Sequence, residues 1–152
     1  MKVRQFEGDR AVLRPLFREA DDSEPAIDGY LDEGDVLVAV VAGRIVGYGQ
    51  LVPAGTGSAE LKSMAVLEDQ RGGGVGRALV EAMLRVCRDR GVGRVLVATA
   101  AADTGNLRFY QRQGFRLFSV ERDAFGPTTG YPAGLLVDGI PLRDRVWLDQ
   151  EL

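Results

Sequence analysis

Gln70-Arg71-Gly72-Gly73-Gly74-Val75-Gly76-Arg77-Ala78-Leu79 is the stretch on which the fold turns. An apolar run, Ala59 to Val66, precedes it. After it, Val75, Leu79, Val80, Met83, Leu84 and Cys87 recur at helical spacing. The stretch is therefore a glycine-dense turn between a strand and a helix. Glycines allow positive φ and let a ligand reach bare backbone N–H groups. The helix start adds unpaired donors and a partial positive charge, so the turn is an anion site, most naturally for phosphate. The competing reading is a plain tight turn, but three successive glycines exceed what that requires and each carries an entropic cost. Arg71 and Arg77 flank the turn. A cation in the first helical turn faces the unfavourable end of the dipole, which a bound anion would offset.

Two familiar phosphate motifs do not fit. The nucleoside-triphosphatase loop needs Lys-Ser or Lys-Thr after its last glycine, and Gly76 is followed by Arg77-Ala78. The dinucleotide fingerprint needs a third glycine where Leu79 stands. Arg-x-x-Gly-x-Gly does fit, as Arg71, Gly74 and Gly76. Ala59-Glu60-Leu61-Lys62-Ser63-Met64-Ala65-Val66 comes before it, and Asn106-x-x-x-Tyr110-x-x-x-Gly114-Phe115 after it. On these three blocks the chain resembles the GNAT superfamily of acetyl-CoA-dependent N-acetyltransferases, specifically over residues 59–119.

The resemblance implies an α/β (α+β) fold. Its sheet would be mixed and mostly antiparallel, with six to seven strands split by a V-shaped cofactor cleft and about four flanking helices. It implies acetyl-CoA as acyl donor and direct transfer to a primary amine of a small molecule or peptide, without metal. Met64, Ala65 and Val66 would pair with the pantetheine arm as an added strand would. Arg71, Gly72, Gly73, Gly74, Val75, Gly76 and Arg77 would cradle the pyrophosphate. Asn106 would contact the cofactor arm and Tyr110 protonate the departing thiolate; four apart on a helix, the two share a face. Glu60 stands where some members carry a general base acting through water. A backbone N–H of the strand would stabilise the oxyanion. A non-catalytic acyl-CoA-binding sensor is the alternative; it could dispense with Glu60 and Tyr110, and both are present.

Composition narrows the chemistry. With 152 residues, 45% apolar and 27% charged, one domain over 1–152 is expected. The charged N-terminus does not read as a signal peptide and no run approaches a membrane span. The one cysteine, Cys87, allows no internal disulfide, and a reducing cytoplasm is the expected setting. Without histidine, proton transfer falls to Asp, Glu, Tyr, Cys, Lys or water, and there is no zinc-type Cys/His cluster. A formal charge of −3 argues against nucleic-acid affinity.

That charge is local. Asp21, Asp22, Glu24, Asp28, Asp32, Glu33 and Asp35 lie in 21–35 with no Lys or Arg, and taking these seven from −3 leaves +4 for the remainder. The segment is either a solvated surface or an attractor for a cationic amine acceptor. The family's frequent homodimers make a dimer a further expectation.

Propensity and capping residues place the rest. The expected elements are a strand at 2–6, a helix over 9–20 capped by Asp9, a short helix after Ser23, and a hairpin over 36–41 and 45–52. They continue with helices over 74–90 and 104–113, strands over 59–66, 94–100 and 115–121, and a last strand near 145–148. The strand at 94–100, nearly all apolar, is expected to be buried on both sides. Residues 122–135, with Phe125, Pro127, Tyr131 and Pro132, read as a loop that shapes an entrance.

Overall fold

In the computed structural model, which describes residues 1–152, the elements follow the expected order. They are β1 (Lys2–Gln5), α1 (Arg14–Ala20), α2 (Glu24–Tyr30), β2 (Asp35–Val41), β3 (Arg44–Pro53), β4 (Ser58–Val66), α3 (Val75–Asp89), β5 (Arg94–Ala100), α4 (Thr104–Arg112), β6 (Arg116–Glu121), β7 (Leu136–Val137), β8 (Ile140–Pro141) and β9 (Arg145–Glu151). Seven strands belong to one mixed, mostly antiparallel sheet, and β7 and β8 form a separate ribbon. Two compact units divide the chain, residues 1–95 with Leu152, and residues 96–151. No helix is long and apolar enough to cross a membrane.

In the first unit the strand order is β1-β2-β3-β4, antiparallel throughout. The β2–β3 turn, Ala42-Gly43, takes positive φ at both residues, which continues the right-handed twist of the strands. Alternation sends β3 side chains to opposite faces. On one face Tyr48 stacks on Phe17 of α1 with ring centroids 4.2 Å apart. Leu13, Leu16, Ile27, Tyr30, Leu31, Val36 and Val38 complete that cluster. On the other face, Leu79 and Met83 of α3 pack over Gly47 and Gly49. Helices thus cover both faces.

The helix expected over 9–20 is broken. Asp9 accepts from the Ala11 N–H at 2.9 Å, as a cap should, but it opens a 3-10 turn, Arg10–Leu13, and α1 begins only at Arg14. Pro15, which has no N–H to donate, is confined to the first turn of α1 and so sets that restart.

In the second unit the order is β5-β9-β6. Along β5, buried positions alternate with half-buried ones, so the expected burial on both sides is incomplete. Every β6 residue is exposed, including Leu117, Phe118 and Val120. Residues 122–135 hold a 3-10 turn, Pro127–Thr129, and an edge-on Phe125–Tyr131 pair 5.1 Å apart. The β7–β8 ribbon turns at Asp138-Gly139, both at positive φ. Asp-Gly is a strong hairpin signal, and it was the available sequence cue for this element.

Candidate functional site

The glycine turn keeps its main chain open. Gly72 and Gly74 take φ of +80° and +88°, values that L side chains adopt only under strain. Nothing lies within 4 Å of where a Cβ would stand at either position. Gly74 is the N-cap of α3 and has no side chain to cap with. The amides of Val75, Gly76 and Arg77 have no acceptor inside the helix; the first bond back is from Ala78 N–H to Gly74 C=O, 3.0 Å. The result is a set of donors without intrahelical partners at the positive end of a 15-residue helix.

The two flanking arginines are drawn to the protein itself. Arg71 Nε donates to the Val66 carbonyl at 2.9 Å, and its Nη2 lies 3.5 Å from Glu19 Oε2. Arg71 thereby ties the turn to the end of β4 and to α1. Arg77 Nε pairs with Glu81 Oε1, one helical turn on, at 2.9 Å. That partner offsets Arg77's unfavourable dipole position.

Met64, Ala65 and Val66 are half-buried at the end of β4, opposite Gly49, Tyr48 and Gly47. Upstream the register slips: Gln50 faces Ser63 and Leu51 faces Leu61, so Lys62 is an extra residue, a β-bulge. Ser63 hydrogen-bonds the Tyr48 hydroxyl. Lys62 Nζ stands 5.4 Å from the Tyr30 ring centroid, on the side of the sheet that α2 covers. Glu60, half-buried, lies opposite Val52. Val52 shares its face with Gln50, whose Nε2 donates to the carbonyls of Tyr30 (2.7 Å) and Glu33 (3.0 Å). Glu60 and Lys62 therefore share the α2 face. Gln50 Oε1, fully buried, has no partner. Nothing in the sequence announced the bulge.

Three acids of the segment, Glu24, Asp28 and Asp35, are paired with arginines. Arg14 reaches Glu24 Oε2 (2.9 Å) and Asp28 Oδ1 (2.7 Å), and Arg18 also pairs with Glu24. Arg90 at the end of α3 bonds Asp35 Oδ2 at 2.5 Å, which, with Gln5, holds the Asp35 carboxyl below its ordinary range. Asp21 accepts from the Tyr30 hydroxyl (2.9 Å) and the Ser23 N–H (2.9 Å).

In the second unit, Asp103 caps α4 by accepting from the Asn106 N–H at 3.0 Å. Asn106 is exposed, its Nδ2 3.5 Å from Thr99 Oγ1. Tyr110 is buried, edge-on to Phe109 and Phe115 at 5.1 and 5.8 Å. Burial first, and the charge of Asp103 second, push its phenol well above the usual range, so it stays protonated. Cys87 is buried on α3, and burial raises its thiol, leaving it an inert packing group.

A family model described as Acetyltransferase (GNAT) family matches residues 7–115. The chain belongs to that family. The uncharacterized N-acetyltransferase YvbK of Bacillus subtilis is 27% identical over 139 residues, 90% of this chain and 88% of the relative. A Bacillus subtilis acetyltransferase crystallised with CoA superposes with a TM-score of 0.91 at 26% identity, covering 99% of this chain and 98% of that one. A GNAT acetyltransferase from Elizabethkingia anophelis with acetyl-CoA bound gives the same TM-score and identity, covering 99% and 97%.

Proposed function

We propose that the protein transfers the acetyl group of acetyl-CoA to a primary amine of a small molecule or peptide. The observation that carries this reading is the uncapped start of α3 behind two positive-φ glycines, which offers several backbone donors to a diphosphate without a side chain in the way. Met64, Ala65 and Val66 would hold the pantetheine arm through their main chain, and Asn106 would contact it. Arg71 would move off the Val66 carbonyl or keep that strand end fixed.

Bound acetyl-CoA supplies a thioester carbonyl and a thiolate leaving group. The amine would add to that carbonyl. Collapse of the tetrahedral intermediate would break the C–S bond as the nitrogen's second proton passes to the departing sulfur or to water. The attacking amine must first be neutral, although an alkyl amine has a pKa near 10.4. Glu60, directly or through water, would take that proton. Tyr110 would donate to the departing thiolate. Its raised pKa makes it a weaker acid than the thiol, so its main contribution is a hydrogen bond to developing negative charge.

The test is a melting curve followed by turnover. Acetyl-CoA at about 100 times its dissociation constant should add roughly 2.7 kcal/mol, where ATP and NAD add nothing comparable. CoA release should then depend on an added amine. Greater stabilisation by ATP or NAD would overturn the reading; acetyl-CoA binding with no transfer to any amine would leave a sensor.

A further inference from the structure

Glu60 and Lys62 are opposite charges on one face of β4, two residues apart, and they form no ion pair with each other. At a strand rise of about 3.3 Å their Cα atoms are about 7 Å apart. Lys62 lies between Glu60 and the Met64–Val66 strand end. Its ammonium rests over a fixed platform: the Tyr30 ring is buried, its hydroxyl is held by Asp21 and its carbonyl by Gln50. Lys62 is exposed and pairs with no carboxylate of the protein, whereas Glu24, Asp28 and Asp35 nearby in sequence to Tyr30 are matched to Arg14, Arg18 and Arg90. A cationic acceptor would meet an unpaired ammonium, and three of the acids of this segment are already paired with arginines.

We propose that the acceptor is a zwitterion of the amino-acid class, its amine directed to Glu60 and its carboxylate held by Lys62 on the bulge of β4. This rests on the transferase reading above and names its substrate class. Glu60 and Lys62, two residues apart on one strand, share a face by alternation, so that one substrate spans both groups. The charge-assisted bond from Lys62 selects the acid over the neutral analogue.

The experiment compares matched acceptors: a panel of amino acids, their carboxamides and their decarboxylated amines, assayed with acetyl-CoA by thiol release. The wild type should prefer an acid over its carboxamide by about tenfold or more in kcat/KM. Lys62→Met should bring that ratio toward one, Lys62→Glu should reverse it, and Lys62→Arg should keep it. Calorimetry should give each variant the wild-type affinity for acetyl-CoA. Equal or better use of carboxamides by the wild type, or an acid preference unmoved in Lys62→Met, overturns the proposal while leaving the transferase reading intact. Acetyl-CoA binding with no amine acetylated in any series overturns both.

Discussion

The glycine turn at 71–77 and the acidic segment at 21–35 both carry strong local signals, and the fold uses them differently. In the turn the capacity to bind lies in the main chain. Gly72 and Gly74 present no side chain over its amides, while Arg71 and Arg77 are occupied with Val66, Glu19 and Glu81. In the acidic segment the signal is carried by side chains, and arginines of α1 and of the end of α3 answer three of them. Backbone geometry is fixed by the residues that make it. A side chain's charge acquires its meaning from whatever the fold places beside it.

The most severe test of this contrast is Gly74→Asp. It puts a strained residue at φ +88° and a carboxylate at the helix start. Acetyl-CoA affinity should fall by more than about 100-fold, given strain and charge together; titration calorimetry showing wild-type affinity would mean that the amides are not the cradle. Tyr110→Phe sharpens the distinction between main-chain binding and side-chain chemistry. Turnover should drop by about 100-fold with acetyl-CoA affinity nearly unchanged, and an equal loss in both would make Tyr110 a packing residue. Gly34→Ala asks whether backbone also matters within the acidic segment. At φ +55°, its new Cβ would stand 1.9 Å from the Leu51 carbonyl oxygen. Urea denaturation should show a loss of at least about 2 kcal/mol, and an unchanged midpoint would mean that this corner rearranges freely.

Two smaller effects concern protons. Glu60→Gln should shift the pH–rate profile to higher pH, because the amine must then lose its proton unaided; an unmoved profile removes Glu60 from the chemistry. Asp35 has its pKa lowered in the fold, so its contribution is present above the unfolded carboxyl value near 3.9 and lost as pH falls through the lower folded value. Asp35→Asn should therefore flatten the loss of stability below about pH 4, measured as urea midpoints at pH 3 and 7. The effect is small because the pair is partly exposed.

Much of this was legible in the sequence. The turn, α3 with its buried stripe, the β2–β3 hairpin and α4 follow from local rules of capping, period and turn chemistry. The break before α1 is also local, set by Pro15, but the helical periodicity across 9–20 runs straight through it. The β7–β8 ribbon was obscured by its two-residue strands, too short to show an alternation.

By itself, then, the sequence determined the strand–turn–helix at 59–90 and the family it marks, because glycine's missing side chain and a helix's unpaired amides act within a few residues. Tertiary structure alone decided the bulge at Lys62, the ammonium over Tyr30, the arginine partners of Glu24, Asp28 and Asp35, and the raised pKa of Tyr110. Each of these depends on register, burial or a neighbour presented by another element, and none of those quantities is a property of a residue and its immediate flanks.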